Sequence, residues 1–152
     1  MAVKGLGAAL RRLARAAPRR QVVAAVPVRP RAGGGLEFLL VRTRSGSRWT
    51  FPKGGCERGE TPGEAAAREA VEEAGASGRI SPTALARYRY GEDRVAAFLL
   101  EVTCDGARAE HGRDPTWFGF EAARRKLAEG RGGAFGEEME RVLIAAERAV
   151  TR

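Results

Sequence analysis

A short helix with clear start and stop signals constrains the fold of this chain more than any other segment. The sequence GETPGEAAAREAVEEAG spans residues 59–75. Thr61 is a good N-cap, Pro62 suits the first helical position, and Glu64 completes a capping box with Thr61. Gly75 follows a run of strong helix formers and is a natural C-terminal stop. The sequence therefore predicts a helix between Thr61 and Gly75.

The same helix carries three glutamates on one face. Glu69, Glu72 and Glu73 stand at i, i+3 and i+4, where like charges repel and destabilise an isolated helix. One interpretation is a solvated acidic face. The other is a site for a hard divalent cation, because Mg²⁺ prefers carboxylate oxygens and commonly bridges them to substrate phosphates. Arg68 and Glu60 are placed to brace the cluster, which favours the metal site.

The positive charge of the chain is concentrated at its start. The 152 residues carry a formal charge of +8, but residues 1–20 hold six basic residues and no acid, which leaves 21 basic against 19 acidic residues. We predict a basic, solvated or disordered N-terminal extension over residues 1–20 and one domain over residues 21–152. The extension is Arg-rich like an organellar transit segment, but it lacks serine. Nucleic-acid binding is an alternative that this distribution does not favour.

Composition excludes several classes of protein. Hydrophobic residues make up 43% of the chain, enough for a core, and no apolar run approaches the ~20 residues of a membrane span. The single histidine, His111, excludes sites that need several histidines. Cys56 and Cys104 have neither metal-ligand spacing nor the pattern of a disulfide framework, which indicates a reducing compartment. We therefore predict a cytoplasmic protein.

The rest of the chain mixes predicted strands and helices. Short apolar runs bounded by turn residues predict strands over residues 21–29, 36–42, 49–52, 84–90, 94–102 and 116–120. The first two and the fourth and fifth are spaced as hairpins, and residues 53–60 are predicted to form a loop. Two more helices are predicted over residues 120–130 and 135–150. This mixture predicts one α/β or α+β domain.

The residues around the first helix resemble the Nudix box. The identities of that motif occur at its spacing as Gly54, Glu60, Arg68, Glu69, Glu72, Glu73 and Gly75. Ala70 and Ala76 stand where the family usually has larger aliphatic side chains, a difference that concerns packing rather than chemistry. The resemblance implies an α/β fold, an α/β/α sandwich with a central mixed β-sheet, over residues 21–150.

The resemblance also implies a chemistry. Nudix enzymes hydrolyse a nucleoside diphosphate linked to another moiety, or related pyrophosphates, with Mg²⁺ or Mn²⁺. By position, Glu69 and Glu73 would be metal ligands, and Glu72 would be a ligand or the general base. Glu60 would support the metal cluster, and Arg68 would orient a box carboxylate. Glu72, Glu69 and Arg68 are thus the predicted catalytic residues, and Glu69, Glu73 and Glu72 the predicted metal ligands.

The segments that flank the box are similar to the branch that cleaves diadenosine polyphosphates and diphosphoinositol polyphosphates. Arg44 precedes Trp49, the sequence Pro-Lys-Gly-Gly follows, and GRDPTWFGFEAARRKL resembles the downstream part of that branch. Arginine suits phosphate recognition because its planar fork binds two oxygens. The resemblance implies substrate-binding roles for Arg44, Lys53, Gly54, Gly55, Arg113 and Arg131. Arg20 is a further candidate.

Four other residues have structural interpretations that we favour over functional ones. Trp49 and Trp117 are expected to pack on the sheet rather than stack on a base. Glu110 follows a strand where some relatives supply an extra carboxylate, although a surface acid is the commoner case. His111 adjoins it without an evident partner.

The sequence thus predicts an Mg²⁺- or Mn²⁺-dependent pyrophosphohydrolase that acts on a small polyanionic phosphate substrate. Two alternatives stay open. The substrate is ADP-ribose, a nucleotide sugar or an RNA 5′ end, or the chain is a catalytically silent Nudix module that binds a nucleotide or a partner. The intact glutamate triad disfavours the silent module, which would have no need of mutually repelling charges.

Overall fold

The computed structural model describes residues 20–151, in which a β-sheet lies between helices. Its strands are β1 (Val22–Pro30), β2 (Leu36–Arg42), β3 (Trp49–Thr50), β4 (Lys53–Gly55), β5 (Ser77–Ile80), β6 (Ala86–Tyr90), β7 (Asp93–Cys104) and β8 (Thr116–Gly119). Its helices are α1 (Pro62–Ala74), α2 (Phe120–Ala128) and α3 (Gly133–Val150). Apart from Arg20, the predicted extension over residues 1–20 lies outside the described residues.

The sheet is mixed, as predicted. Its strands follow the order β3-β2-β1-β7-β5, and β4 pairs with β1, β6 with β7, and β8 with β2. β1 runs parallel to β7 and antiparallel to β2 and β4. The two predicted hairpins are confirmed, because Val28 lies opposite Phe38 and Tyr88 lies opposite Val95 in antiparallel register.

Both faces of the sheet are buried, which confirms the predicted sandwich. Alternate residues of β1 point to opposite faces, as the two-residue period of a strand requires. Val23 and Ala25 pack with α1, whereas Ala24, Val26 and Val28 pack with α2 and α3. The helical partners on the second face include Leu127, Met139, Val142, Leu143 and Ala146. No helix in the described part of the chain is long and apolar enough to cross a membrane.

Helix α1 begins and ends as its sequence predicts. The Thr61 hydroxyl accepts a hydrogen bond from the Glu64 N–H at 3.2 Å, and Pro62 occupies the first turn. Gly75 ends the helix in the left-handed region, with φ of 64°, and its N–H donates to the Val71 carbonyl. A side chain at Gly75 would also overlap the backbone of Ala107, so this position requires glycine twice over.

Three features of the strands differ from the predictions. The predicted loop over residues 53–60 begins with β4, which pairs with β1 so that Lys53 lies opposite Ala24. β5 was not predicted, because its sequence, SGRI, lacks an apolar alternation; its hydrogen bonds come from the neighbouring β7. The predicted strand over residues 49–52 is limited to Trp49–Thr50. Short, polar or glycine-rich strands carry little local signal, and pairing with a central strand decides them.

A buried hydroxyl in the core gives a first prediction. Tyr88 is buried, and no group in residues 20–151 exchanges a hydrogen bond with its hydroxyl. Its ring packs edge-to-face on Phe135 at 6.3 Å. We expect Tyr88→Phe to keep the free energy of unfolding or raise it by up to ~2 kcal/mol, because an unsatisfied buried hydroxyl is costly. Urea unfolding measures this, with Tyr88→Leu as the control that loses the ring. A loss above ~1 kcal/mol in Tyr88→Phe would contradict the prediction.

Candidate active site

Helix α1 presents its glutamates to two different environments. Glu69 and Glu73 face the sheet with side chains only 11% and 6% exposed, whereas the Glu72 side chain is 54% exposed. The other buried positions of this helix face are small residues, including Ala66 and Ala70. These small side chains let the helix approach β1 and β4 closely. The predicted triad is therefore divided into two buried carboxylates and one that solvent reaches.

Arg68 braces the cluster from the same helix. Its guanidinium donates to both oxygens of Glu60, at 2.8 and 3.0 Å, and to Glu69 Oε1 at 2.9 Å. It also donates to Glu72 Oε2 at 3.3 Å and to the Gly55 carbonyl at 3.0 Å. The hydrogen bonds with Arg68 lower the pKa of Glu60, and those with Glu60 raise the pKa of Arg68. Arg68 thus contacts the carboxylates that the sequence assigned to it.

Glu73 is the most enclosed of the three glutamates on α1 that the sequence assigned to the metal. Its Oε2 accepts the Lys53 N–H at 3.0 Å, and its Oε1 accepts Nη2 of Arg113 at 3.1 Å. Burial raises the pKa of Glu73 from 4.5 to about 7, although the Lys53 N–H and the Arg113 charge both oppose this rise. Burial therefore makes the negative charge of Glu73 costly, and Arg113 and the Lys53 N–H offset only part of this cost.

Glu69 lies against the backbone of β4. A side chain built at Gly54 would overlap the Glu69 carboxylate, so any larger residue here must displace that carboxylate. Burial raises the pKa of Glu69, with Arg68 opposing the rise and Glu72 and Glu110 adding to it. Gly54, predicted to bind substrate, thus also sets the distance between strand and carboxylate.

The predicted phosphate-binding residues partly surround a pocket beside Glu73. This pocket has a volume of about 400 Å³, and its walls include Arg44, Lys53, Gly54, Gly55 and Arg113. The Arg44 side chain is 83% exposed and lies 4.0 Å from Glu110. A second pocket, of about 390 Å³, lies beside the C-terminal end of α1, and of the candidate residues only Glu110 and Trp117 line it. We assign the site to the first pocket, because it joins a buried box carboxylate to three cationic side chains.

Arg113 lies in the pocket wall but is engaged with the protein. It is 5% exposed, and it donates to Glu73, to Glu110 at 3.1 Å and to the Arg42 carbonyl at 3.1 Å. Glu110 is fixed in turn, since its N–H donates to the Glu72 carbonyl. The guanidinium therefore ties α1 to β2 and to the loop before β8.

Two other predicted residues lie outside the pocket wall. Arg131 donates to the Trp49 and Leu127 carbonyls at 2.7 and 2.9 Å and reaches the pocket only through Tyr90, whose hydroxyl is 3.4 Å away. Arg20 donates to the Cys56 carbonyl beside Gly55. His111 is exposed.

The two tryptophans pack on the sheet, as predicted. Trp49 is buried and meets Phe118 edge-to-face at 5.1 Å. Trp117 donates its indole N–H to Asp105 at 2.8 Å and carries Arg29 over its ring.

Sequence reasoning missed an aromatic residue of the pocket. Tyr90 forms part of the wall, and Lys53 places its ammonium 4.1 Å from the centre of the Tyr90 ring. Asp93, also missed, lies in the same wall. The alternation of Tyr88 and Tyr90 in β6 shows that they share a face, but only the register of β6 against β7 places that face at the pocket.

The carboxylates of Glu69 and Glu73 are the kind of ligand that a divalent cation binds, but their present arrangement does not form a complete coordination site. Within residues 20–151, no three His, Cys, Asp or Glu side chains converge closely enough to hold a metal ion. Instead, Glu69 accepts a hydrogen bond from Arg68, and Glu73 accepts hydrogen bonds from Arg113 and from the Lys53 N–H. Two buried carboxylates on successive turns, both with raised pKa, are nevertheless the oxygen donors that Mg²⁺ or Mn²⁺ binds.

Comparison with known proteins agrees with the fold and the box. The profile of the NUDIX domain matches residues 18–137. This chain belongs to the NUDIX family. The Nudix resemblance predicted from the box is therefore confirmed, and the match contains all seven of its identities and the pocket wall.

Named Nudix relatives are similar over parts of their length. Nudix hydrolase 21, chloroplastic, of Arabidopsis thaliana is 41% identical over 78 residues, which are 49% of this chain and 39% of that protein. Diphosphoinositol polyphosphate phosphohydrolase 3-beta of Bos taurus is 37% identical over 99 residues, 60% of each chain. This chain thus spans less than two thirds of either relative. The structure of a C. elegans Ap4A hydrolase binary complex superposes with a TM-score of 0.68 at 23% identity, covering 86% of this chain and 98% of that one, which shows a shared fold.

The raised pKa of Glu73 predicts a dependence of stability on pH. Because its pKa is about 7 in the folded state and 4.5 ordinarily, the folded protein binds this proton more tightly, and stability falls as pH rises between those values. We expect the free energy of unfolding of Glu73→Gln, relative to the wild type, to increase from about pH 4.5 to about pH 7 and then level off.

Urea unfolding at four pH values in the presence of a chelator measures this difference. Glu137→Gln, which changes an exposed glutamate of α3, is the matched control. A Glu73→Gln difference that stayed constant from pH 5 to pH 8 would contradict the raised pKa.

Proposed function

We propose that this protein is a Mg²⁺- or Mn²⁺-dependent pyrophosphohydrolase that cleaves a phosphoanhydride bond of a diadenosine polyphosphate or a diphosphoinositol polyphosphate. One observation carries the proposal: the buried carboxylates Glu69 and Glu73 lie beside a pocket with the cationic wall residues Arg44, Lys53 and Arg113. Similarity to proteins named as diphosphoinositol polyphosphate phosphohydrolase and Ap4A hydrolase supports the substrate class.

The residues divide into a cation-holding group and a phosphate-binding group. Glu69 and Glu73 would hold the cation, with Glu72 at the exposed edge of the cluster. A bound divalent cation lowers the pKa of water and neutralises charge on phosphate oxygens. Lys53 and Arg44 would bind the phosphates, since both residues line the pocket and neither forms an ion pair closer than 4.0 Å in residues 20–151.

Proton transfer is assigned to Glu72. Water attacks a phosphorus atom, the bond from that phosphorus to the bridging oxygen breaks, and the released phosphate leaves with that oxygen. The attacking water must lose a proton to a base within hydrogen-bond reach. Glu72 is exposed, so it can meet this water, and Arg68 fixes its position at 3.3 Å. Arg113 acts through Glu73 and Glu110, which it holds in place.

The compartment stays a separate proposal. We infer a cytoplasmic location from the two free cysteines, although curated relatives include proteins named as chloroplastic and mitochondrial. Fractionation of the native organism with an antibody to this protein tests the inference, and recovery in an organelle would overturn it.

Substrate turnover gives the direct test of the proposed function. We expect the purified protein with Mg²⁺ to hydrolyse a diadenosine polyphosphate or a diphosphoinositol polyphosphate, and Glu69→Gln to lose more than about 100-fold in rate because a buried cation ligand is removed. Glu137→Gln, at an exposed position on α3, is the matched control. Phosphate release and product chromatography are the measurements.

The same assay includes ADP-ribose, a nucleotide sugar and triphosphorylated RNA. Turnover of one of these alone would replace the proposed substrate and keep the chemistry. Absence of turnover on every compound, with ligand binding retained in Glu69→Gln, would favour the silent binding module.

The close approach of β4 to Glu69 generates a prediction about the cation. We expect Gly54→Ala to weaken Mn²⁺ binding by about 10- to 100-fold, because the added methyl group must displace the Glu69 carboxylate. Gly133→Ala is the matched control, since no atom lies within 4 Å of its new methyl group. Mn²⁺ titration followed by electron paramagnetic resonance measures the affinity. Equal affinities in the two variants would show that Glu69 does not hold the cation.

A further inference from the structure

Tyr90 occupies an unusual position in the pocket wall. It lies near the end of β6, and Lys53 extends across the pocket from β4 to place its ammonium 4.1 Å from the ring centre. This is the geometry of a cation–π contact, in which the face of the ring attracts the charge. The contact joins two strands that do not pair with each other, since β4 pairs with β1 and β6 pairs with β7.

Two other side chains hold the ring of Tyr90, and the guanidinium of Arg131 lies 5.6 Å from its centre. Arg131 approaches its hydroxyl at 3.4 Å, and the same guanidinium is anchored by the Trp49 and Leu127 carbonyls. Phe135 packs edge-to-face on the ring at 6.0 Å and 70°. Arg131 therefore does not need to reach substrate to affect the pocket. It fixes the surface on which Lys53 rests.

Lys53 is fixed at its backbone as well. Its N–H donates to Glu73 Oε2 at 3.0 Å, and its position opposite Ala24 is set by the pairing of β4 with β1. Only the flexible side chain remains to be ordered, and a free lysine side chain loses much conformational entropy when it binds a ligand. A ring that already holds the ammonium lowers this cost.

We propose that Tyr90 is a positioning residue that holds the Lys53 ammonium in the pocket, and that the site thereby selects its substrate by the phosphate chain rather than by the organic group. The proposal rests on the proposed function for the substrate class. In this proposal Lys53 binds the phosphates, Tyr90 positions Lys53, and Arg131 positions Tyr90.

Base stacking on Tyr90 is the competing role. Lys53 covers the ring face that a base would use, and within residues 20–151 no second aromatic side chain lines this pocket to complete a sandwich. A base would have to displace the ammonium from the ring. The observed contacts therefore favour phosphate selection.

Inorganic tripolyphosphate tests the proposal, because it has phosphates and no organic group. Its dissociation constant is measured by calorimetry with Mg²⁺ for the wild-type full chain, Tyr90→Leu, Lys53→Met and the double variant. Tyr90→Phe keeps the ring, and Lys126→Met removes one positive charge from α2, away from the pocket wall. Thermal unfolding of each variant verifies that it is folded.

We expect Tyr90→Leu to weaken tripolyphosphate binding by about 3- to 30-fold and Tyr90→Phe to restore most of it. In the Lys53→Met background, Tyr90→Leu should add no further loss, since the ring acts through the ammonium. For the substrate that the protein turns over, KM should rise in Tyr90→Leu while kcat stays within about 2-fold, as expected for loss of uniform binding.

Three results would overturn the proposal. The first is that the wild-type protein does not bind tripolyphosphate. The second is that the losses of tripolyphosphate affinity in the two single variants add up in the double variant. The third is that Tyr90→Leu weakens binding only of adenosine-containing ligands, which would indicate base stacking. Failure of the proposed function would give a different result. If tripolyphosphate bound with the expected dependence on both Tyr90 and Lys53 but no substrate were hydrolysed, only the proposed enzymatic function would be contradicted.

Discussion

The buried carboxylate of Glu73 is the point on which the arrangement of the site depends. An isolated carboxylate in such a place would be strongly destabilising, and it is tolerated because both oxygens accept charge-assisted hydrogen bonds. One donor comes from the backbone of Lys53 in β4 and the other from Arg113 in the loop before β8. The same interactions that make Glu73 acceptable in the core therefore bring three distant parts of the chain together around one pocket.

The alanines of α1 make this burial feasible. Ala65, Ala66 and Ala70 are fully buried against β1 and β7, so the helix backbone lies close to the sheet. Gly54 has no side chain, so β4 can lie in close contact with the Glu69 carboxylate. Larger aliphatic side chains, which the Nudix box usually has at the position of Ala70, would have to be accommodated by a different spacing of helix and sheet. The small residues and the glycine are thus matched to each other.

The sequence predicted the parts of the structure that are coded locally. The caps of α1, the two hairpins and helix α3 follow from residues that are near one another in the chain. β4 and β5 were not predicted, because strand pairing across the sheet determines them. The shared face of Glu69, Glu72 and Glu73 could be predicted from their spacing, whereas their roles follow from the Nudix resemblance. The partners of Arg113 and Arg131 could not be predicted. An arginine that donates to a backbone carbonyl and an arginine that is free to bind a phosphate look the same in a sequence.

The pocket separates two electrostatic tasks that conflict in a single site. Glu69 and Glu73 make one side negative, which suits a cation but repels a polyphosphate. Lys53 resolves this conflict within one residue, because its N–H stabilises Glu73 while its ammonium lies across the pocket over Tyr90. The negative charge of Glu73 and the positive charge of Lys53 are consequently fixed relative to each other by β4. A movement of this short strand would disturb both at once, and the pairing of Lys53 with Ala24 and the packing of Phe135 on Tyr90 oppose such a movement.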